Sequence, residues 1–200
     1  MYLQSLLAIF CLLIGSYSQD TAETIPQLPE DDPQNFPFQD ATQMVELPGT
    51  HWVKRRTYKV TTTPEEPKCE YAEIHGKVEK YTYTLELGAK VGSRWQSQNQ
   101  TLELEISGSH TLPNVLRFSR LKADGRLGHP LLYSDYGKCS IVRIKKKDSS
   151  VYVCDMLLLN EAADNDPPAV CLEKFNKYCT GTTVVEAYSS SCKTKGAEAL

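Results

Sequence analysis

From His51 onward the apolar residues recur with a period of two, and this constrains the fold more than any other feature of the chain. Tyr81, Tyr83, Leu85 and Leu87 alternate with Thr82, Thr84 and Glu86. Leu102, Leu104 and Ile106 alternate with Thr101, Glu103 and Glu105. Successive side chains of a strand point to opposite faces, so such alternation marks half-buried strands. Comparable segments lie near residues 51–60, 69–78, 114–121, 129–136, 139–146 and 150–158, which gives about eight strands. Turn signals at Ala123-Asp124-Gly125, Tyr136-Gly137 and Lys147-Asp148-Ser149-Ser150 separate several of them. Consecutive strands with short links predict an all-β fold, an eight-stranded antiparallel up-and-down barrel, with a β-sandwich as the alternative.

The pattern changes at both ends. Asn165-Asp166-Pro167-Pro168 reads as a cap and a Pro-rich first turn, and Val170, Leu172, Phe175 and Tyr178 follow at helical spacing until Thr180-Gly181. A C-terminal α-helix on an eight-stranded barrel leaves room inside for one small ligand. Residues 20–48 carry seven acids, five prolines and no base. Their first part buries too little apolar surface to offset ordering entropy and is expected to be disordered. Asp40 to Leu47 reads as a short helix with Asp40 as N-cap and Pro48 as its end. The apolar run Leu6 to Ile14, followed by small residues at Ser16 and Ser18, reads as a signal peptide over residues 1–18. The expected organisation is then an acidic Pro-rich tail over 19–37, one domain over 38–193 and a C-terminal tail over 194–200.

Loss of Cys11 with the signal leaves Cys69, Cys139, Cys154, Cys171, Cys179 and Cys192. An even set in a secreted chain reads as disulfides, with fifteen possible pairings. The sequon Asn99-Gln100-Thr101 makes Asn99 a candidate glycosylation site and agrees with a secreted, extracellular protein. No apolar run reaches the ~20 residues of a membrane span, and a net charge of −3 argues against a nucleic-acid partner. No metal-ligand spacing occurs among the cysteines and histidines. The acidic run from Glu161 to Asp166 lacks the glycine and closing glutamate of a calcium loop. His51, His75, His110 and His129 carry no motif and are expected at the surface or in turns. Lys145-Lys146-Lys147 reads as a solvated strand edge. No nucleophile–base set or phosphate loop is present. The expectation is a monomeric binding protein without catalytic residues, metal or cofactor.

Several segments resemble the tick salivary lipocalins, the histamine-binding-protein-like and japanin-like family. Asp135-Tyr136-Gly137-Lys138-Cys139-Ser140-Ile141-Val142 is similar to the strand carrying their Cys-Asp-aliphatic triplet. Val153-Cys154-Asp155-Met156-Leu157 stands where they have Glu-Leu-aromatic, and Cys171-Leu172-Glu173-Lys174-Phe175-Asn176 looks like their C-terminal helix. Gly49-Thr50-His51-Trp52 is a loose version of the general lipocalin Gly-x-Trp, and Trp52 to Tyr58 resembles the first strand. The resemblance covers about residues 38–193 and implies a lipocalin domain. It also implies the bridges Cys69–Cys192 and Cys139–Cys171, with a third bridge of some members matching Cys154–Cys179.

The resemblance further implies a small-molecule ligand, a lipid mediator, a sterol or a biogenic amine. Amine binders place carboxylates inside the barrel because a buried ammonium needs a paired charge. Here the spacing holds but the residues differ: Ser140 replaces the Asp, Asp155 shortens the Glu and Leu157 replaces the aromatic. One inward carboxylate, Asp155, is therefore expected. Strand parity groups Ser140 with Val142 and Ile144, Asp155 with Val153 and Leu157, Leu116 with Phe118 and Arg120, and Tyr58 with Arg56 and Lys54 unless a bulge intervenes. The candidate ligand-binding residues are Arg56, Tyr58, Leu116, Phe118, Ser140, Val142, Asp155 and Leu157. An apolar interior with one acid and one or two bases favours an amphipathic lipid, an eicosanoid clamped by Arg56 or a sterol, over histamine or serotonin. A third reading, from another class, is a lipocalin scaffold whose outer loops bind a host immune protein such as a complement component.

Overall fold

A computed structural model describes residues 27–61, 63, 65–120, 124–147, 152–179 and 183–194. The expected signal peptide, the first part of the acidic segment and the Thr180-Gly181 helix stop lie outside the described residues. A short helix α1 (Ala41–Val45) precedes eight antiparallel strands: β1 (Thr50–Arg56), β2 (Lys68–Glu79), β3 (Thr82–Val91), β4 (Arg94–Glu105), β5 (Val115–Phe118), β6 (Leu127–Ser134), β7 (Cys139–Ile144) and β8 (Val153–Leu159). Helix α2 (Ala169–Tyr178) and the two-residue β9 (Val185–Glu186) follow. Each strand pairs with its successor, and β1 pairs with both β2 and β8, so the sheet closes on itself. This is the expected up-and-down barrel. The sandwich alternative fails because no edge remains between β8 and β2; β9 only extends the outer flank of β1.

Alternation holds along most strands. Leu85, Leu102, Leu104, Leu116, Phe118, Val142, Val153 and Leu157 pack into the barrel interior. On β7 and β8 the opposite face is buried as well. Cys139, Ile141, Cys154, Met156 and Leu158 lie beneath Cys171, Phe175 and Tyr178 of α2. A strand covered on both faces reads as a continuous apolar run, which is why Val153–Leu159 shows one polar residue, Asp155, in seven.

The bridges are Cys69–Cys192, Cys139–Cys171 and Cys154–Cys179, with Cα–Cα distances of 5.2, 6.4 and 5.7 Å. All fall in the usual range for disulfides. The last two tie α2 to adjacent strands, and the first ties the C-terminal segment to the head of β2. The docked face of α2 differs from the expected one. Val170 is exposed and Leu172 half-buried, because the half-cystine Cys171 sets the buried stripe with Phe175 and Tyr178. The N-cap is Pro168 rather than Asn165 or Asp166, with no side-chain capping bond.

The odd-numbered connections β1–β2, β3–β4, β5–β6 and β7–β8 share one end of the barrel. At the other end lies α1, capped by Asp40 through Thr42 N–H at 2.9 Å and Gln43 N–H at 3.2 Å. Its Ala41 N–H donates to Pro113 between β4 and β5, and Glu46 accepts from Lys77 and Tyr83 near the β2–β3 turn. The segment before it is packed too. A 3₁₀ helix (Pro33–Phe38) is N-capped by Asp32, Asn35 accepts from the Tyr178 hydroxyl at 2.9 Å, and Glu30 forms a buried ion pair with Arg143 of β7.

Candidate ligand-binding site

The barrel holds a cavity of about 410 Å³, within the range of small-molecule pockets. Its walls are mostly aliphatic, including Val53, Ile74, Leu85, Leu102, Val142 and Leu157, with Met44 and Val45 of α1 at one end. Of the eight expected site residues, Leu116, Phe118, Val142, Asp155 and Leu157 line it. Ser140 is buried but outside the lining; its hydroxyl bonds Ser134 at 2.9 Å. Tyr58 is buried within the same interior cluster and donates to both Asp155 carboxylate oxygens, at 2.9 and 3.1 Å.

Arg56 is fully buried, yet it is not the free clamp that strand parity had indicated. Its guanidinium pairs with Glu70 and Glu66 and donates to the Pro67 carbonyl. Lys54 is outside the barrel, donating to the Ala163 carbonyl at 2.8 Å, because the register of β1 shifts between Val53 and Arg55. The central cation is instead Arg120. Its Nε donates to Asp155 at 3.1 Å, and its two terminal nitrogens donate to one oxygen of Glu70 at 3.1 and 3.2 Å.

A second inward carboxylate, Glu70, thus corrects the expectation of one. It was visible as a parity partner of Ala72 and Ile74 on β2, all three lining the cavity. Two arginines face two carboxylates, so the core of the cluster is electrically balanced, with Glu66 half-exposed at its rim. Such a balance lets four charges remain buried, since each desolvated ion keeps a bonded counter-ion. Burial pulls the Arg120 guanidinium down, but the Asp155 charge and its neighbours more than offset this and hold it above its ordinary value. Burial pushes the Tyr58 phenol far up, leaving it a donor to Asp155. Lys146, read from sequence as part of a solvated edge, has its ammonium 4.9 Å from the centre of the Tyr58 ring.

Two of the four histidines differ from expectation. His51 and His129 are buried. His51 borders the cavity, and His129 packs against Phe118 with ring centres 4.5 Å apart. Burial lowers both imidazoles to about 4, so both are neutral near pH 7. Gly88 carries no side chain where the Tyr71 ring crosses β3, a place that any Cβ would fill. Asn99 is exposed on β4. No group of metal-ligating side chains is present among the described residues.

Solved structures share this fold. A protein AM182 in complex with serotonin superposes with a TM-score of 0.57 at 16% identity, over 76% of this chain and 92% of that one. Apocrustacyanin C2 gives 0.57 at 14% identity, over 86% and 93%. Japanin from Rhipicephalus appendiculatus, bound to cholesterol, gives 0.50 at 10% identity, over 82% and 99%. No curated protein matches in sequence. The tick histamine binding protein family matches residues 29–194. A closed eight-stranded barrel, an internal cavity and a match over that length place this chain in the tick histamine binding protein family of lipocalins.

Proposed function

We propose that this protein binds and sequesters an uncharged amphipathic small molecule, of the hydroxyl-bearing sterol class, without catalysis. The observation that carries this is the balance of the buried cluster: Arg120 and Arg56 are each engaged by carboxylates, and Asp155 and Glu70 by guanidinium groups. A ligand carboxylate has to take a guanidinium from its acid, and an ammonium has to take an acid from its arginine. Breaking a buried pair typically costs ~3–5 kcal/mol. A hydroxyl group does neither. It donates to a carboxylate and accepts from a guanidinium while the charges stay matched. The aliphatic remainder of the cavity takes the apolar body of the ligand. The cholesterol complex of the structurally similar japanin supports the same class. This reading narrows the amphipathic lipids to the neutral ones and places eicosanoid acids and biogenic amines behind them. The disulfides and the N-terminal apolar run support a secreted protein that withdraws a host mediator from its receptors.

The test begins with native mass spectrometry of the secreted protein before and after solvent extraction. Titration of extracted protein with cholesterol, a leukotriene and histamine follows. Cholesterol is expected to bind at least tenfold more tightly than either charged compound. Tighter binding of the leukotriene or of histamine overturns the reading.

A further inference from the structure

We propose that His51 is a second polar anchor at the α1 end of the cavity, its Nε2 accepting a hydrogen bond from a hydroxyl at the far end of a two-ended ligand. This deepens the neutral-ligand reading above and rests on it.

His51 borders the same cavity as Asp155 and Arg120, together with Met44 and Val45 of α1. Its side chain is 98% buried, being 2% exposed. The Leu47 backbone favours a proton on the ring, and Nε2 has no hydrogen-bond partner among the described residues. With the ring proton on Nδ1, toward the Leu47 backbone, Nε2 keeps a bare lone pair. A neutral imidazole has one donor and one acceptor nitrogen, and burial keeps this ring neutral. An acceptor withdrawn from water without a donor is costly, and such groups are rare in native interiors. Val53, two residues on along β1, and Val45 and Met44 of α1 give the same cavity apolar lining. Nothing in the barrel core requires a histidine there, since leucine or phenylalanine fills an aliphatic floor without an orphaned lone pair.

The strand register supplies a length. Asp155 stands opposite Arg56 and Leu159 opposite His51. Four residues of strand separate the two levels, about 13 Å at the usual rise. The cavity therefore has a charged, balanced pole and an imidazole pole, with aliphatic wall between. Its chemical complement is an uncharged molecule with an apolar body and a hydroxyl at each end. The hydroxyl at the imidazole pole has to donate; an ether or ketone oxygen there meets a second lone pair.

The probes are α,ω-decanediol, decanol and ω-methoxydecanol, measured by displacement of a fluorescent lipid from extracted protein. Wild type is expected to bind the diol about tenfold more tightly than decanol or the methyl ether. His51→Phe is expected to bind all three alike, with decanol affinity within twofold of wild type. Folding of the variant is checked by circular dichroism. A second measurement needs no variant: the ¹⁵N resonance of His51 Nε2 is expected to move when the diol is added and to stay in place with the methyl ether. A diol that binds no better than decanol, or an Nε2 resonance that responds to neither compound, overturns the His51 anchor and leaves the neutral-ligand reading standing. Failure of all three alcohols and of cholesterol to bind overturns both.

Discussion

Arg120, which parity groups with Leu116 and Phe118, meets both Asp155 and Glu70, which makes it the most informative residue to change. Arg120→Met removes the ion pairs to Asp155 and Glu70 while keeping an unbranched apolar stem. Among the described residues Asp155 is then left with the Tyr58 hydroxyl alone, and Glu70 with Arg56. Such an uncompensated buried carboxylate is expected to lower stability by ~3–5 kcal/mol, measured from the denaturant midpoint. The double variant Arg120→Met, Asp155→Leu is expected to recover more than half of that loss, because it removes the stranded charge along with its partner. Equal destabilisation of single and double variants points to lost packing instead. The same pair of residues marks where sequence reading stops. Parity placed Asp155, Leu157, Leu116, Phe118 and Val142 on the inner faces of their strands, and all five border the cavity. Parity is local to a strand. Which guanidinium meets which carboxylate depends on β1, β2, β5 and β8 converging after closure, and on the β1 bulge that turns Lys54 outward. Neither is written in a two-residue period.

At the scale of an element, α2 is ten residues long, too short to persist alone in water. It owes its order to the apolar stripe of Cys171, Phe175 and Tyr178 and to two disulfides that reach separate strands. Replacing Cys154 and Cys179 by Ala opens a bridge spanning 25 residues, for which a loss of ~2–4 kcal/mol is expected. Because Cys139–Cys171 still holds the first turn of the helix, amide exchange is expected to rise in the last turn, near Lys177 and Tyr178, ahead of the first. Uniform loss of protection along α2 contradicts this division of labour. The helix was legible from its spacing, but its docked face was not. Val170 stands five residues before Phe175 and off the stripe that Cys171, Phe175 and Tyr178 form at i, i+4 and i+7, and counting Cys171 only as a bridge hid that stripe. The strands were legible for the opposite reason: alternation records which face is wet, and the barrel leaves one face of β3 and β4 largely in water. Along the 3₁₀ helix at Pro33–Phe38 composition misleads, since an acidic, proline-rich stretch packs here through particular bonds from Asn35 and Gln39 and through Phe36 against His110 and Phe38 against Tyr133.

For the whole molecule, acid is the sharpest probe. His51 and His129 have their imidazoles lowered to about 4 from 6.5, chiefly by burial, with the Arg120 charge adding to the effect at His129. The unfolded chain takes up protons below pH 6.5, whereas the folded chain resists until about pH 4. Their contribution is therefore complete above pH 6.5 and is lost as the pH falls toward 4. Denaturant unfolding across this window is expected to report an uptake of between one and two protons, and His51→Phe is expected to remove close to one of them. An unchanged pH slope in that variant shows that the ring titrates normally. The Cys69–Cys192 bridge, separated by 123 residues, acts on the same scale. It turns β2 through β9 into a covalent ring, with α1 and β1 as the arm attached to it. A peptide bond cut in any turn of that ring opens the circle without releasing a piece, and the closed sheet keeps the cut ends in register. Loss of material from that ring therefore takes two cuts, or one cut and a reductant, whereas a single cut between β1 and β2 parts the arm.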